Sequence, residues 1–466
     1  MSANKKIALI VPALRSHRSP GGGREPWFEP MPPLWALALA TYLRAALPSV
    51  RVDILDEQIL GRAALLKKLS SSRYDLAGFS PVAYTYGDSL RYARLLKKRG
   101  ALVVMGGHYA PALAGEIFAL RGPASADHCV DAIVRYDGER ALYELARGTA
   151  FKDIKNLVYA GPGGLPAENP VENLDLAALP PVDYSLVDVG AYFRLQSARS
   201  RGILPFVSQR GCKWAEGPGR CFFCSIQSFG GLRAIPPAAA AARMRALAGR
   251  TGAGCIFEGS DDFPADAAWL KEFSAAAARG KFPDLRVFAR ATTLNRNSVA
   301  LLKAAGTRYV SVGAEAMSDT VLRAARKGAS AAQNSRAVAL LLAAGIMPKL
   351  HIVLGLPGET RATFSEAFSN FKKMELPAES PERVLLASTF AVYPGTEAWR
   401  RLLALEPRYR GKDILDEGEM FRDWLKHFSG LDEADVEAAR CALEKLFAAR
   451  VRLSPRAGGA AGPRRA

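Results

Sequence analysis

A chain of 466 residues, 49% apolar and 23% charged, can bury a large core and has room for two or three domains, which excludes a disordered or fibrous protein. Six cysteines are too few for a disulfide framework in so long a chain and suit a reducing compartment. A net charge of +18 admits a nucleic-acid partner, an acidic substrate or simple solubility; because Lys and Arg are scattered, with no compact basic run interleaved with aromatics, nucleic acid is not the expected partner.

The N-terminal apolar run at residues 7–11 ends in Pro12 and is too short for a signal sequence, and no stretch approaches the roughly 18 apolar residues of a membrane span. A soluble cytoplasmic protein with no membrane partner is expected. Residues 5–150 then alternate short apolar runs (7–11, 50–55, 76–80, 102–105, 132–135) with helical segments (34–46, 62–69, 89–99, 113–120, 140–147). Five such βα units predict a Rossmann-like, doubly wound parallel sheet over 1–150, with its ligand site at the carboxyl ends of the strands. Those ends carry Asp56-Glu57, Ser80-Pro81, Gly106-Gly107-His108 and Asp137-Gly138-Glu139, with Gly21-Gly22-Gly23 beyond the first strand. Small residues there let the backbone approach a bulky ligand. His108 by itself reads as a hydrogen-bonding loop residue rather than a metal ligand.

Residues 151–203, rich in Pro and Asp and without a long periodic run, read as a connector. A second alternating series occupies 204–400, with strands at 204–208, 255–258, 287–289, 309–313, 349–354 and 385–391 and helices between them. Six parallel strands with crossovers predict a partial (β/α)6 barrel whose chemistry gathers in the loops after the strands. Residues 401–453 predict a short helical C-terminal region, and 454–466 a disordered basic tail.

The loop after the first barrel strand holds Cys212, Cys221 and Cys224, half the cysteines of the chain within thirteen residues. Three thiolates hold three irons of a [4Fe–4S] cube and leave the fourth iron open to a small molecule. Two plainer readings stand beside this one: a structural zinc site, which normally takes four ligands, and buried thiols serving as small hydrophobes. Cys129, beside His128, Cys255 and Cys441 are isolated in sequence, and Cys255 and Cys441 read as buried hydrophobes.

Cys212, Cys221 and Cys224, with the aromatic Phe223 before the last of them, resemble the cluster motif of radical S-adenosylmethionine (SAM) enzymes. The departure is the first gap, eight residues where the usual pattern has three; it resembles the stretched gap of some cobalamin-type and peptide-maturation members, with Gly217, Pro218 and Gly219 as the turn that loops out. The later strand ends keep the resemblance. The stretch 257–263, with Glu258, Ser260, Asp261 and Asp262, stands where the family holds the methionine amine by backbone and acidic side chains, Arg290 where a carboxylate partner fits, Gly313-Ala314-Glu315 where an acid meets ribose, and Gly355-Leu356-Pro357-Gly358 where backbone borders adenine. The N-terminal sheet resembles the cobalamin-binding domain found before many such barrels, through Ser80, Pro81, Gly106, Gly107 and His108. The Asp-x-His-x-x-Gly signature of a lower cobalt ligand is replaced by 56–61, Asp-Glu-Gln-Ile-Leu-Gly. A sheet that serves only as a docking module is the plainer reading.

What the resemblance implies is a [4Fe–4S] cluster, SAM and cobalamin as cofactors, a reductant such as flavodoxin or ferredoxin, and a small-molecule or peptide substrate. The implied reaction is methyl transfer to an unactivated carbon by way of a 5′-deoxyadenosyl radical. A non-methylating rearrangement, ring contraction or dehydration is the alternative within enzymes, and a non-catalytic iron–sulfur or zinc RNA-binding protein the alternative outside them. Lys213 and Trp214, in the enlarged loop, are candidates to touch substrate.

Overall fold

The computed structural model describes residues 5–14, 30–197, 202–216, 219–226, 231–376 and 384–453. The Gly21-Gly22-Gly23 strand end, the Gly217-Pro218 part of the expected turn and the tail at 454–466 lie outside them.

Seven strands form the first sheet: β1 (Lys6–Val11), β2 (Arg51–Asp56), β3 (Leu76–Phe79), β4 (Leu102–Met105), β5 (Ala132–Val134), β6 (Leu157–Ala160) and β7 (Pro166–Glu168), in the order β2-β1-β3-β4-β5-β6-β7. The first five pair in parallel, as the βα alternation predicts, and Ile7, Ala8, Leu9 and Ile10 are fully buried because helices cover both faces. β6 and β7 differ from the expectation. They lie in the segment read as a connector, and they extend the sheet as an antiparallel pair beside β5. The helix Ala83–Lys97 starts earlier than its periodicity suggests, because Thr85 caps it by accepting a bond from the Val82 amide.

β8 (Ile203–Phe206) opens the second series. A short antiparallel ribbon, β9 (Gln209–Arg210) with β10 (Arg233–Ala234), forms the neck of the cysteine loop. β11 (Cys255–Glu258), β12 (Asp284–Arg290), β13 (Thr307–Glu315), β14 (Met347–Leu354) and β15 (Leu385–Thr389) complete a curled, all-parallel half-barrel in the order β15-β14-β13-β12-β11-β8. Its crossover helices begin on side-chain caps: Asp266, Asn295, Ser330 and Thr360 each accept bonds from first-turn amides. Along β14, Pro348, Leu350, Ile352 and Leu354 bury against the helices, whereas Lys349, His351 and Val353 face the inner wall. The C-terminal helices Glu417–Phe428 and Glu433–Leu453 pack back on the barrel through Trp424, Leu425 and Phe447. Among the described residues no helix is long and apolar enough to cross a membrane.

Candidate functional site at the junction of the two sheets

A cavity of about 440 Å³ lies where the carboxyl ends of the first sheet meet the cysteine-loop neck. Ser80, Pro81, Gly106, Gly107 and His108 all line it, so the five N-terminal candidates converge. Gly107 is required twice over. Its φ of +78° is left-handed, and a Cβ built there would sit 2.5 Å from the Ser80 hydroxyl. Burial, helped by the nearby Arg220 cation, pushes the His108 imidazole below its ordinary pKa. Asp56 and Glu57, at the position lacking a histidine, do not line the cavity and bond within the chain. Asp56 accepts from Tyr192 Oη at 2.8 Å, and Glu57 accepts from the Ala13 amide at 3.0 Å.

The opposite wall is Gln209, Arg210, Gly211, Arg233, Gly259 and Asp261. Across the junction runs a buried clamp. Asp137 accepts from Arg210 Nη1 at 2.7 Å, from Arg233 Nη1 at 2.6 Å and from the Leu174 amide at 2.9 Å, while Glu139 accepts from Arg210 Nη2 at 2.6 Å. Asp137 and Glu139 are 3% and 4% exposed, and two partly exposed guanidiniums neutralise these buried acids. Burial works to raise the Asp137 carboxyl, but Arg233 and Arg210 hold it below its usual range. The Asp137-Gly138-Glu139 stretch thus carries the contact between the sheets, and Gly138 leaves the cavity wall open.

The three cysteines sit beyond that neck. Cys212 and Cys221 are buried and Cys224 is partly so. Burial raises the Cys212 thiol and pushes that of Cys224 up to about 11, while the amides of Trp214, Ala215 and Ile226 point at the sulfurs. Arg290 Nη1 lies 3.8 Å from Cys221 Sγ. Buried sulfurs ringed by amide and guanidinium donors suit thiolates bound to iron, since such donors stabilise the anionic ligand. Among the described residues, no three His, Cys, Asp or Glu side chains gather around one ion-sized point.

Several sequence candidates occupy different roles from those expected. Glu258 is fully buried and turned away from the cavity; its carboxylate accepts from the Ser208 amide and hydroxyl at 2.7 and 2.9 Å and from the Ser260 hydroxyl and amide at 2.7 and 3.1 Å. Glu258 and Ser260 therefore pin the exit of β8 to that of β11. The acid of this stretch that lines the cavity is Asp261, whose carboxyl burial and the adjacent Asp262 push up to about 6, and whose charge is felt at Cys224.

Arg290 is 7% exposed and reaches three groups: the Cys221 sulfur, the Lys327 carbonyl and the face of Trp214, 4.7 Å from the ring centroid. Trp214 is half-buried and held in place. Its Nε1 donates to the Arg326 carbonyl at 3.0 Å and its ring closes on Gly328, where a Cβ would lie 2.2 Å away, so the enlarged loop is locked onto the exit of β13. Lys213 donates to the Ala265 carbonyl at 3.2 Å and faces Asp266.

Glu315, in the left-handed region at φ +63°, bonds Lys327 Nζ at 2.7 Å, and Gly313 is needed because a Cβ would meet both partners at 2.9 and 3.0 Å. Lys327, absent from the sequence candidates, is 7% exposed and lies 5.9 Å from the Phe223 ring centroid. Burial favours its neutral form, but Glu315 and the Cys221 sulfur outweigh that and raise it. Gly355, at φ +91°, is covered: a Cβ would strike Phe421 at 2.4 Å, and Trp424 Nε1 donates to its carbonyl at 2.8 Å. Glu359 caps this loop by accepting from the Gly355 amide.

Three thiols thus stand at the mouth of a parallel half-barrel that meets the ligand edge of a doubly wound sheet. Residues 206–370 match the Radical SAM superfamily. The chain is 26% identical to the anaerobic magnesium-protoporphyrin IX monomethyl ester cyclase of Rubrivivax gelatinosus, over 72% of this chain and 61% of that protein. It is 24% identical to the enzyme of the same name from Cereibacter sphaeroides, over 72% of this chain and 56% of that one. It thus spans less than two thirds of these relatives. In fold it is similar to the cobalamin-dependent SAM radical enzyme OxsB with aqua-cobalamin and SAM bound (TM-score 0.72, 14% identity, 94% of this chain, 66% of that one). It is also similar to the radical SAM methyltransferase TsrM of Kitasatospora setae with cobalamin and a [4Fe–4S] cluster bound (TM-score 0.68, 18% identity, 86% of this chain, 78% of that one). At these identities the likeness is one of fold.

Proposed function

We propose that the chain is a cobalamin-dependent radical SAM methyltransferase acting on an unactivated carbon of a small molecule or peptide, with electrons from a flavodoxin- or ferredoxin-type donor. The observation that carries this reading is the cavity, bounded on one side by Ser80, Pro81 and Gly106–His108 and on the other by the neck of the cysteine loop. A corrinoid and a cluster held on those two walls would face each other across the barrel mouth.

Cys212, Cys221 and Cys224 hold the cluster in this reading. Bound there, the cofactors supply an electron to cleave SAM, a primary carbon radical and a carrier for a methyl group. The chain's own residues do the rest. Arg290 and Lys327 place positive charge beside Cys221, which stabilises the anionic sulfur. Asp261 offers a carboxylate at the cavity wall for an ammonium group. The clamp of Asp137, Glu139, Arg210 and Arg233 fixes the distance between the walls, and Gly107 keeps the corrinoid side shallow enough for a flat macrocycle. His108 takes the role of a wall residue rather than a cobalt ligand.

The experiment is anaerobic reconstitution with hydroxocobalamin, iron, sulfide, a reductant and SAM labelled in its methyl group. Label moving onto the corrinoid together with release of S-adenosylhomocysteine supports methyl transfer. Release of 5′-deoxyadenosine with the label left in methionine overturns it in favour of a second reading, a radical enzyme that closes or rearranges a ring. That reading is favoured by one observation, the cyclase identity of the two sequence relatives.

A further inference from the structure

The inner wall of the half-barrel carries a ladder of cationic and polar side chains that no step above employs. In register, Arg286 on β12 lies beside Tyr309 on β13; one step toward the mouth, Phe288 lies beside Ser311, which pairs with Lys349 on β14; one step further, Arg290 lies beside Gly313, which pairs with His351. The burial alternation on each strand turns Arg286, Phe288, Tyr309, Ser311, Lys349 and His351 to this wall. Two atoms there are shut off from solvent and have no hydrogen-bond partner, Arg286 Nε and His351 Nε2.

The cations Arg286 and Lys349 share this wall, and Glu315 is the acid whose charge reaches His351. Arg286 packs over Tyr309 at 4.6 Å and sits close enough to Lys349 to repel it. The acids at either end of the ladder are engaged: Glu315, at the top, bonds Lys327, and Asp284, at the bottom, pairs with Arg308 in solvent. Burial, and then the Arg286 cation, lowers Lys349 to about 8, and burial lowers His351 to about 4, so the imidazole is neutral at physiological pH. Two orphaned nitrogens beside an arginine whose charge disfavours the neighbouring lysine cost stability on this wall, and sites that give up stability in this way are commonly sites for a ligand of opposite charge. The rest of the wall is aromatic: Phe257 packs edge-on against Phe288 at 5.2 Å, and Phe288 edge-on against His351 at 6.1 Å.

We infer that the inner wall of the half-barrel is an anchoring site for a carboxylate carried on an apolar or aromatic body, with Arg286, Lys349 and His351 as its polar contacts and Phe257 and Phe288 as its apolar ones. A planar carboxylate suits the edge of a guanidinium with a neighbouring ammonium. This deepens the proposed function, on which it rests for its catalytic meaning. The anchor lies directly below the Glu315–Lys327 pair that leans on Cys221, so a substrate held by its carboxylate would present its body to the radical-generating mouth.

The test uses the full chain with its cluster reconstituted and phenylacetate as probe, with phenylethanol and inorganic phosphate as comparisons at constant ionic strength; the thermal midpoint is read. A saturable rise with phenylacetate, absent with phenylethanol, smaller with phosphate and lost in Lys349→Met, supports the site. So does a higher midpoint for Lys349→Met than for the parent without any anion, since the variant removes the repulsion with Arg286. Should Lys349→Met fold poorly, Lys349→Gln serves the same comparison. The inference is overturned if phenylacetate stabilises the parent and the Lys349 variant equally, if phenylethanol does as well as phenylacetate, or if no ligand shifts the midpoint, which would leave the orphaned nitrogens bridged by water alone. The readout needs no SAM cleavage: probe binding without 5′-deoxyadenosine refutes the proposed reaction and leaves the anchor standing, and cleavage without probe binding does the reverse.

Discussion

Asp137→Asn tests the clamp between the two sheets. Asp137 receives four hydrogen bonds, from Arg210 Nη1 at 2.7 Å, Arg233 Nη1 at 2.6 Å, Arg233 Nη2 at 3.2 Å and the Leu174 amide at 2.9 Å, at a position 3% exposed. With Glu139 it balances Arg210 and Arg233, so the asparagine leaves one unneutralised positive charge on a partly buried guanidinium pair. Breaking a buried pair from one side costs about 3–5 kcal/mol. By contrast, losing the exposed Arg308–Asp284 pair costs within about 0.5 kcal/mol after solvent screening. Urea unfolding of Asp137→Asn, Arg308→Gln and the double variant Asp137→Asn/Arg233→Met is the assay. The first should lose several times more than the second, and the third, in which the charges balance again, should recover part of the loss. A shift for Asp137→Asn no larger than that for Arg308→Gln would refute the reasoning. The clamp also predicts a pH dependence. Because the folded Asp137 pKa lies below its ordinary 3.8, its contribution is fully present above 3.8 and lost as pH falls through the folded value, so parent and Asp137→Asn should converge in stability only in strong acid.

Glu359 predicts the opposite slope. Its carboxyl is pushed by burial from 4.5 up to about 8, so the folded state favours the protonated form and the parent should lose stability between those values as pH rises, while Glu359→Gln should be flat there; equal slopes in pH-dependent unfolding would contradict this. Cys221→Ala should abolish the visible absorbance of the reconstituted cluster and SAM cleavage while leaving the far-ultraviolet dichroism intact; full activity would refute its assignment as a ligand. Gly107→Val adds branched bulk at a left-handed position where even a Cβ meets the Ser80 hydroxyl, and it should weaken corrinoid uptake at least tenfold with iron content unchanged. Undiminished uptake would move the corrinoid off that wall.

Much of this arrangement is legible in the residues themselves. Runs such as Leu102–Met105 and Cys255–Glu258 stand as strands where periodicity and flanking glycines predict them, and the three cysteines mark the loop by spacing alone. What escapes the sequence is long-range or a matter of phase. β6 and β7 lie in a stretch broken by Gly161–Gly164, and their pairing depends on β5 being close by, which no local pattern encodes. Glu258 ends a strand that buries its alternate residues, so the alternation that makes β11 recognisable also turns this acid inward; Asp261, past the strand, is released to the cavity. Lys327 sits in Arg326-Lys327-Gly328, a sequence that reads as a solvated helix end, and only the fold folds it back on Glu315. That the Trp214 ring closes over Gly328, more than a hundred residues away, is likewise encoded by no local pattern.

The most direct measurement is the retention of hydroxocobalamin by the anaerobically reconstituted chain after gel filtration, with iron and sulfide assayed on the same fractions. Stoichiometric corrinoid alongside an intact cluster, with the corrinoid alone lost in Gly107→Val, is the expected result. A chain that keeps its cluster and cleaves SAM but lets the corrinoid pass through unbound would contradict a junction built to hold both.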